Sequence, residues 1–144
     1  MNKFMDTLVS VSAKLSQNRI LNIIQSAFML MLPVYMIGGF AALFNGIGID
    51  VYQAFIASAG IKTVLSVIYQ WTIGMIALYL SFLVAYRHAQ TYKYSQSDIA
   101  TGLASLICFL IVTPYIIPEE PYAPVSLPAS WLGASGMFSA IIIA

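Results

Sequence analysis

The sequence predicts an all-α membrane protein. The expected architecture is a polytopic helical bundle with three complete transmembrane helices plus a truncated fourth, an N-terminal amphipathic helix and a short interfacial helix. Three observations lead there. Hydrophobic residues make up 60% of the 144-residue chain and charged residues only 8%, against about 25% charged in soluble domains. A water-exposed fold of this composition would present an apolar surface and aggregate. The apolar residues also come in long blocks, as bilayer segments do. Finally, the basic residues gather on alternate connections between those blocks, as the positive-inside rule requires.

Residues 1–19 have the pattern of an amphipathic interfacial helix. Phe4, Met5, Leu8, Val11, Ser12 and Leu15 recur at spacings of three and four, while Lys3, Asp6, Lys14 and Asn18 fall mostly elsewhere on the wheel. Such a segment can lie along anionic headgroups; a solvated helix leading into the first span is the plainer alternative. No small-residue cleavage pattern closely follows the first apolar run, so that run reads as a retained span rather than a signal.

The first span is expected over 20–44. Its start is semi-polar, with Asn22, Gln25 and Ser26, and suits protein or the interface. Pro33 removes one backbone hydrogen bond and should kink the helix. Gly38, Ala42 and Gly46 recur every four residues and form a smooth strip on which another helix can pack. Between 45 and 63 the apolar middle is too short to cross, and a short interfacial helix is expected with Asp50 near its start, where a carboxylate suits the helix dipole. Asp50 as a ligand for a cation or substrate is the functional alternative.

The second span is expected over 64–86. Tyr69 and Trp71 near its start and Tyr86 at its end suit aromatic anchoring, and Ala77, Ser81 and Ala85 make another small-residue strip. A polar loop is expected over 87–98, with Ser97 or Asp98 capping the next helix. His88, the single histidine, reads there as a solvated residue. The third span is expected over 99–117, with Ser97, Thr101 and Ser105 on one small face and Ala100 and Ala104 on another, and Pro114 near its end. Four prolines make 118–130 a non-helical connector. The partial fourth span, 131–144, has 14 residues where a bilayer crossing needs about 20. The expectation is therefore that the chain is the N-terminal part of a longer membrane protein.

Charge sets a direction. Lys3, Lys14, Arg19, Arg87 and Lys93 lie on one side of the expected spans, and Lys62 alone on the other. This places the N-terminus and the 87–98 loop in the cytoplasm of a multi-pass protein.

The chemistry that is missing bounds function. No Asp, Glu, Lys, Arg or His lies within 20–44, 64–86 or 99–117. Proton relays and ion pathways use such residues, so a proton-driven exporter contained in this chain is disfavoured. No basic stripe points to nucleic acid. The lone Cys108 allows neither an intrachain disulfide nor a cysteine-based metal site. No phosphate-binding glycine motif or nucleophile constellation is present, and no cofactor or metal is expected.

A family resemblance adds to this. It is carried by the opening Met-Asn-Lys-Phe-Met-Asp, by Lys14 to Arg19, and by Leu21 to Phe28. It continues in Leu32-Pro33-Val34, in Gly38-Gly39, and in the late run from Leu132 to Ala140 that holds Gly133 and Gly136. Together these resemble the start of enzyme IIC, the permease subunit of the bacterial sugar phosphotransferase system, in its lactose, cellobiose and diacetylchitobiose branch. The resemblance covers essentially the whole chain but only about the first third of such a permease. It implies a ten-helix homodimeric permease of the bacterial cell membrane that takes up a β-linked disaccharide, with phosphorylation by the cytoplasmic enzyme IIB and IIA subunits. It also implies that the N-terminal helices form the scaffold and dimerisation part, while an essential His and Glu lie in the C-terminal half. Those positions are absent here and His88 does not match them, so no catalytic or sugar-binding residue carries over. The residues expected to serve helix packing or an interface are Gly38, Ala42, Gly46, Gly133, Gly136 and Ala140. A small membrane protein acting only by helix–helix interaction is the alternative.

Overall fold

The computed structural model describes residues 17–93, 97–115 and 127–144. The expected amphipathic helix lies almost wholly outside them, as does most of the proline-rich connector. All regular structure among the described residues is helical.

Helix α1 spans Arg19–Gly46, 28 residues or roughly 42 Å. Asn18 caps it, its side-chain oxygen accepting from the Ile20 amide at 3.0 Å. The helix runs on through Pro33. Ile23, Ala27, Met31, Gly38 and Ala41 are its buried residues, at the three- and four-residue spacing of one face. Met29, Leu32, Met36, Phe40 and Leu43 stay exposed, a surface suited to hydrocarbon rather than water.

Helix α2, Asp50–Ser58, follows, with Asp50 in its first turn. Gly60 then takes φ 71°, a left-handed turn that glycine adopts without steric cost. It leads into α3, Ile61–Thr72, a short 3-10 turn over Ile73–Met75, and α4, Ile76–Tyr92.

This differs from the expected single span over 64–86 in two ways. First, the helix is interrupted. The Thr72 hydroxyl bonds back to the carbonyls of Ile68 at 2.6 Å and Tyr69 at 3.1 Å. Such back-bonding bends helices, and Gly74 adds backbone freedom in the turn. The Tyr79 hydroxyl then donates to the Trp71 carbonyl at 2.7 Å. Second, the expected polar loop begins late. The helix continues through Arg87 and His88 to Tyr92 and ends at Lys93, φ 52°. Polarity there does not mean loop, because several of the side chains bond to one another along the helix. Arg87 Nη1 donates to Gln90 Oε1 at 3.0 Å, Gln90 Nε2 to the Tyr86 hydroxyl at 2.8 Å, and Ala89 is buried beneath them.

Helix α5, Asp98–Val112, is capped by Ser97, whose hydroxyl accepts from the Ala100 amide at 3.3 Å. It stops at Val112, short of the expected 117. Thr113 is extended, as the residue before a proline tends to be, and Pro114 follows. The last stretch is also not one helix from Trp131. It comprises α6, Ala129–Leu132, a 3-10 turn over Ala134–Gly136, and α7, Met137–Ile143. By length and composition, two segments among the described residues can cross a membrane: Arg19–Gly46 and Ile61–Tyr92. Asp98–Val112 and Ala134–Ile143 are shorter apolar helices.

Helix α4 is the centre of the bundle. One side of it (Ile76, Leu80, Val84) packs on Ile23, Ala27 and Met31 of α1. Through Ala77 it joins Phe109 of α5, Leu132 and Ala140 in a second cluster.

Candidate functional site: the helix-break junction

The two interruptions in the bundle meet. A Cβ added to Gly133, at the end of α6, would stand 3.3 Å from the Gly74 carbonyl oxygen in the Ile73–Met75 turn. One added to Gly136 would overlap the Trp131 carbonyl and sit 3.3 Å from Ala77 Cβ. From the other side, a Cβ at Gly38 of α1 would overlap Thr72 Oγ1 and lie 2.8 Å from Ile73 Cγ1. Three glycines from two distant parts of the chain thus crowd the stretch from Thr72 to Ala77. A side chain at Gly38 would force Thr72 and Ile73 to shift, one at Gly136 would collide with the Trp131 carbonyl, and one at Gly133 would need the Gly74 carbonyl to give way slightly.

The other small residues named from sequence fall differently. Ala140 is fully buried beside Ala77. Ala42 is half-buried, and Gly46 is exposed with nothing within 4 Å of an added Cβ. The strip at four-residue spacing on α1 therefore has one crowded position, Gly38, and one open position, Gly46.

A second close approach joins α4 to α5. The Ser105 hydroxyl donates to the Ser81 carbonyl at 3.0 Å, with both residues buried. A Cβ at Gly102 would lie 2.7 Å from the Phe82 ring and 3.1 Å from the Phe82 carbonyl oxygen. Ser81 and Ser105 belong to small faces visible in the sequence, whereas Gly102 lies outside both. The signal for it is Gly102 and Ser105 standing three apart, one above the other on a helix.

At the other end of α1, a polar clamp holds α1, α2 and α3 together. Gln53 Nε2 donates to the carbonyls of Asn45 at 3.0 Å and Ile47 at 2.7 Å. Lys62 Nζ donates to Gln53 Oε1 at 3.0 Å, and Asn45 Nδ2 to Ser66 Oγ at 3.1 Å.

None of this is an acid–base or nucleophilic arrangement. Thr72, Gly74, Ala77, Gly133 and Gly136 bring only hydroxyl, carbonyl and methyl groups to the junction. His88 lies on α4 with its ring against Tyr92, centroids 4.7 Å apart. Cys108 is exposed on α5. Among the described residues no three His, Cys, Asp or Glu side chains gather as a metal would need. The junction can set the angle and separation of helices.

No protein-family model matches the chain. Curated relatives do. The chain is 30% identical over 149 residues to the cellobiose-specific EIIC component of the phosphotransferase system of Geobacillus stearothermophilus, covering 96% of this chain and 33% of that one. It is 27% identical to the lichenan permease IIC component of Bacillus subtilis, covering 96% and 32%. Among solved structures it matches the transporter ChbC, the IIC component of the N,N'-diacetylchitobiose-specific phosphotransferase system, with a TM-score of 0.75 and 29% identity over 93% of this chain and 33% of ChbC. The chain spans about a third of the length of the curated relatives it matches. Over nearly its whole length, then, this chain is a relative of the sugar-specific IIC components of phosphotransferase systems, and it corresponds to about a third of one.

Proposed function

We propose that this chain is the helix-packing scaffold of a phosphoenolpyruvate-dependent sugar permease that takes up a β-linked disaccharide of the cellobiose class and phosphorylates it during uptake. The observation that carries the reading is the joint match in sequence and fold to IIC components over more than nine-tenths of the chain. The junction supports it: the groups crowded there can position helices but cannot do phosphoryl chemistry. In this reading sugar binding and phosphotransfer lie in the remainder of a full-length IIC component, and phosphate arrives from IIB and IIA subunits.

The same reading makes residues 1–144 the scaffold and dimerisation part of a homodimer in the bacterial cell membrane. Helix α1, the α3–α4 segment and helix α5 cross the bilayer, and 131–144 begins a fourth crossing. The N-terminus is cytoplasmic, supported by five basic residues on that side against Lys62 on the other.

A chimera tests it. The chain replaces the matching third of the Geobacillus cellobiose component in cells lacking their own cellobiose permease. Phosphoenolpyruvate-dependent accumulation of phosphorylated cellobiose is the expected result. A chimera present in the membrane at the parental level but without uptake overturns the reading.

A further inference from the structure

Near the start of α1 and the end of α4 the bundle has a polar recess. Two cavities, of about 400 Å³ and 180 Å³, share Asn22, Ser26 and Arg87; Arg19 and Thr91 line the smaller one. Arg87 lines both cavities and Arg19 the smaller one, and no Asp or Glu is among the described residues lining either. Arg87 is held in place by the relay from Tyr86 through Gln90, yet its Nε is buried without a hydrogen-bond partner. A partly buried cation with no carboxylate among the described residues around it favours an anion.

An apolar groove lies beside the recess and shares Leu30 with it. Leu30 lines the larger polar cavity and, with Met31, Val34, Leu78, Phe82 and Leu106, a groove of about 290 Å³ between α1, α4 and α5. The basic end lies within a few turns of the termini of both helices, Arg19 opening α1 and Arg87 five residues before Tyr92. Headgroup phosphates reside at that depth, and tails lie beyond it.

We propose that this recess binds an anionic phospholipid, its phosphate between Arg19 and Arg87 and one acyl chain along the groove beyond Leu30. The proposal rests on the membrane reading given above. Free phosphate would use the same arginines but has no use for the groove, which is why a lipid is the better occupant.

The test isolates the full chain from cell membranes in native copolymer nanodiscs and counts the co-purified lipids by mass spectrometry. Phosphatidylglycerol should be enriched over phosphatidylethanolamine relative to the bulk membrane. Arg87→Gln should lower that enrichment about fivefold, the weight of one basic residue at a membrane surface. Thr91→Glu, which adds a negative charge at an exposed position, should lower it similarly without disturbing the packed core, while Arg87→Lys should retain most of it. Equal enrichment in Arg87→Gln, Thr91→Glu and the parent overturns the site. Loss of enrichment on adding millimolar inorganic phosphate overturns the lipid assignment in favour of free phosphate. Chain found in membranes without enrichment defeats the lipid site alone; chain absent from membranes defeats the membrane reading with it.

Discussion

The hydroxyl of Ser105 donates to the main-chain carbonyl of Ser81 across the α4–α5 contact, at 3.0 Å and out of reach of solvent. That carbonyl belongs to an α-helix, so the bond is additional to the helix's own ladder and requires the two backbones to lie close together. Gly102, one turn earlier on α5, makes this possible by leaving the Phe82 ring room. Ser105→Ala should therefore cost about 1 kcal/mol, the scale of interhelical hydrogen bonds in membranes. Gly102→Leu should cost more, about 3 kcal/mol, because it meets backbone as well as ring. Thermal unfolding in detergent, followed by circular dichroism, checks both. Equal losses for the two would mean that the approach does not depend on Gly102.

Position along the α1 strip should matter more than residue type. Gly38→Leu drives a side chain into Thr72 and Ile73, and a loss of roughly 3 kcal/mol is expected. Gly46→Leu meets open space near the helix end and should stay within about 0.5 kcal/mol of the parent. Ala42→Leu, half-buried, should fall between them. A membrane two-hybrid assay adds a second readout. Reduced self-association in Gly46→Leu with unchanged folding would show that the open end of the strip meets a partner.

The interruption at Ile73–Met75 has its own test. Tyr79 donates to the Trp71 carbonyl there. Tyr79→Phe removes the donor and leaves that carbonyl with one partner fewer in an apolar surrounding, at a cost of about 1–2 kcal/mol. Hydrogen exchange should rise at residues 71–77 and remain unchanged in the first half of α1. A uniform rise along the bundle would count against a local role.

What the sequence made legible follows from which signals are local. The Ser97 cap and the position of Asp50 in a first turn come from neighbouring residues, and periodicity and polarity are enough to suggest the helices around them; Asn18, expected within the helix over 1–19, is instead the cap of α1. The break in the second span was not legible, because 64–86 is uninterrupted in hydropathy. Only Thr72 and Gly74 mark it, and either residue is ordinary within a membrane helix. The helical course of 87–92 is hidden in the sequence because Arg87, His88 and Gln90 are polar, although Arg87, Gln90 and Tyr86 bond along the helix and Ala89 is buried. At the junction, Gly133 and Gly136 were singled out by sequence. Their partner Gly74 was not, since nothing local shows that residues some sixty positions apart will touch. Asn22, Gln25 and Ser26 were recognisable as a semi-polar start, but the recess needs Arg87, which folding brings from a different helix.

The clamp at the far end of α1 turns on one side chain, Gln53, which both donates and accepts. Its amide nitrogen serves two carbonyls left at the end of α1, while its oxygen takes the Lys62 ammonium. Gln53→Leu removes all three bonds and should cost about 2 kcal/mol, felt mainly as faster hydrogen exchange in α2. Gln53→Glu separates the two roles. The carboxylate would still receive Lys62, now as an ion pair, but it has no donor for the carbonyls of Asn45 and Ile47. An exposed ion pair adds only about 0–1 kcal/mol, so Gln53→Glu should stay less stable than the parent while exceeding Gln53→Leu. If Gln53→Glu equals or exceeds the parent, the Lys62 contact rather than the carbonyl bonds holds α2 in place.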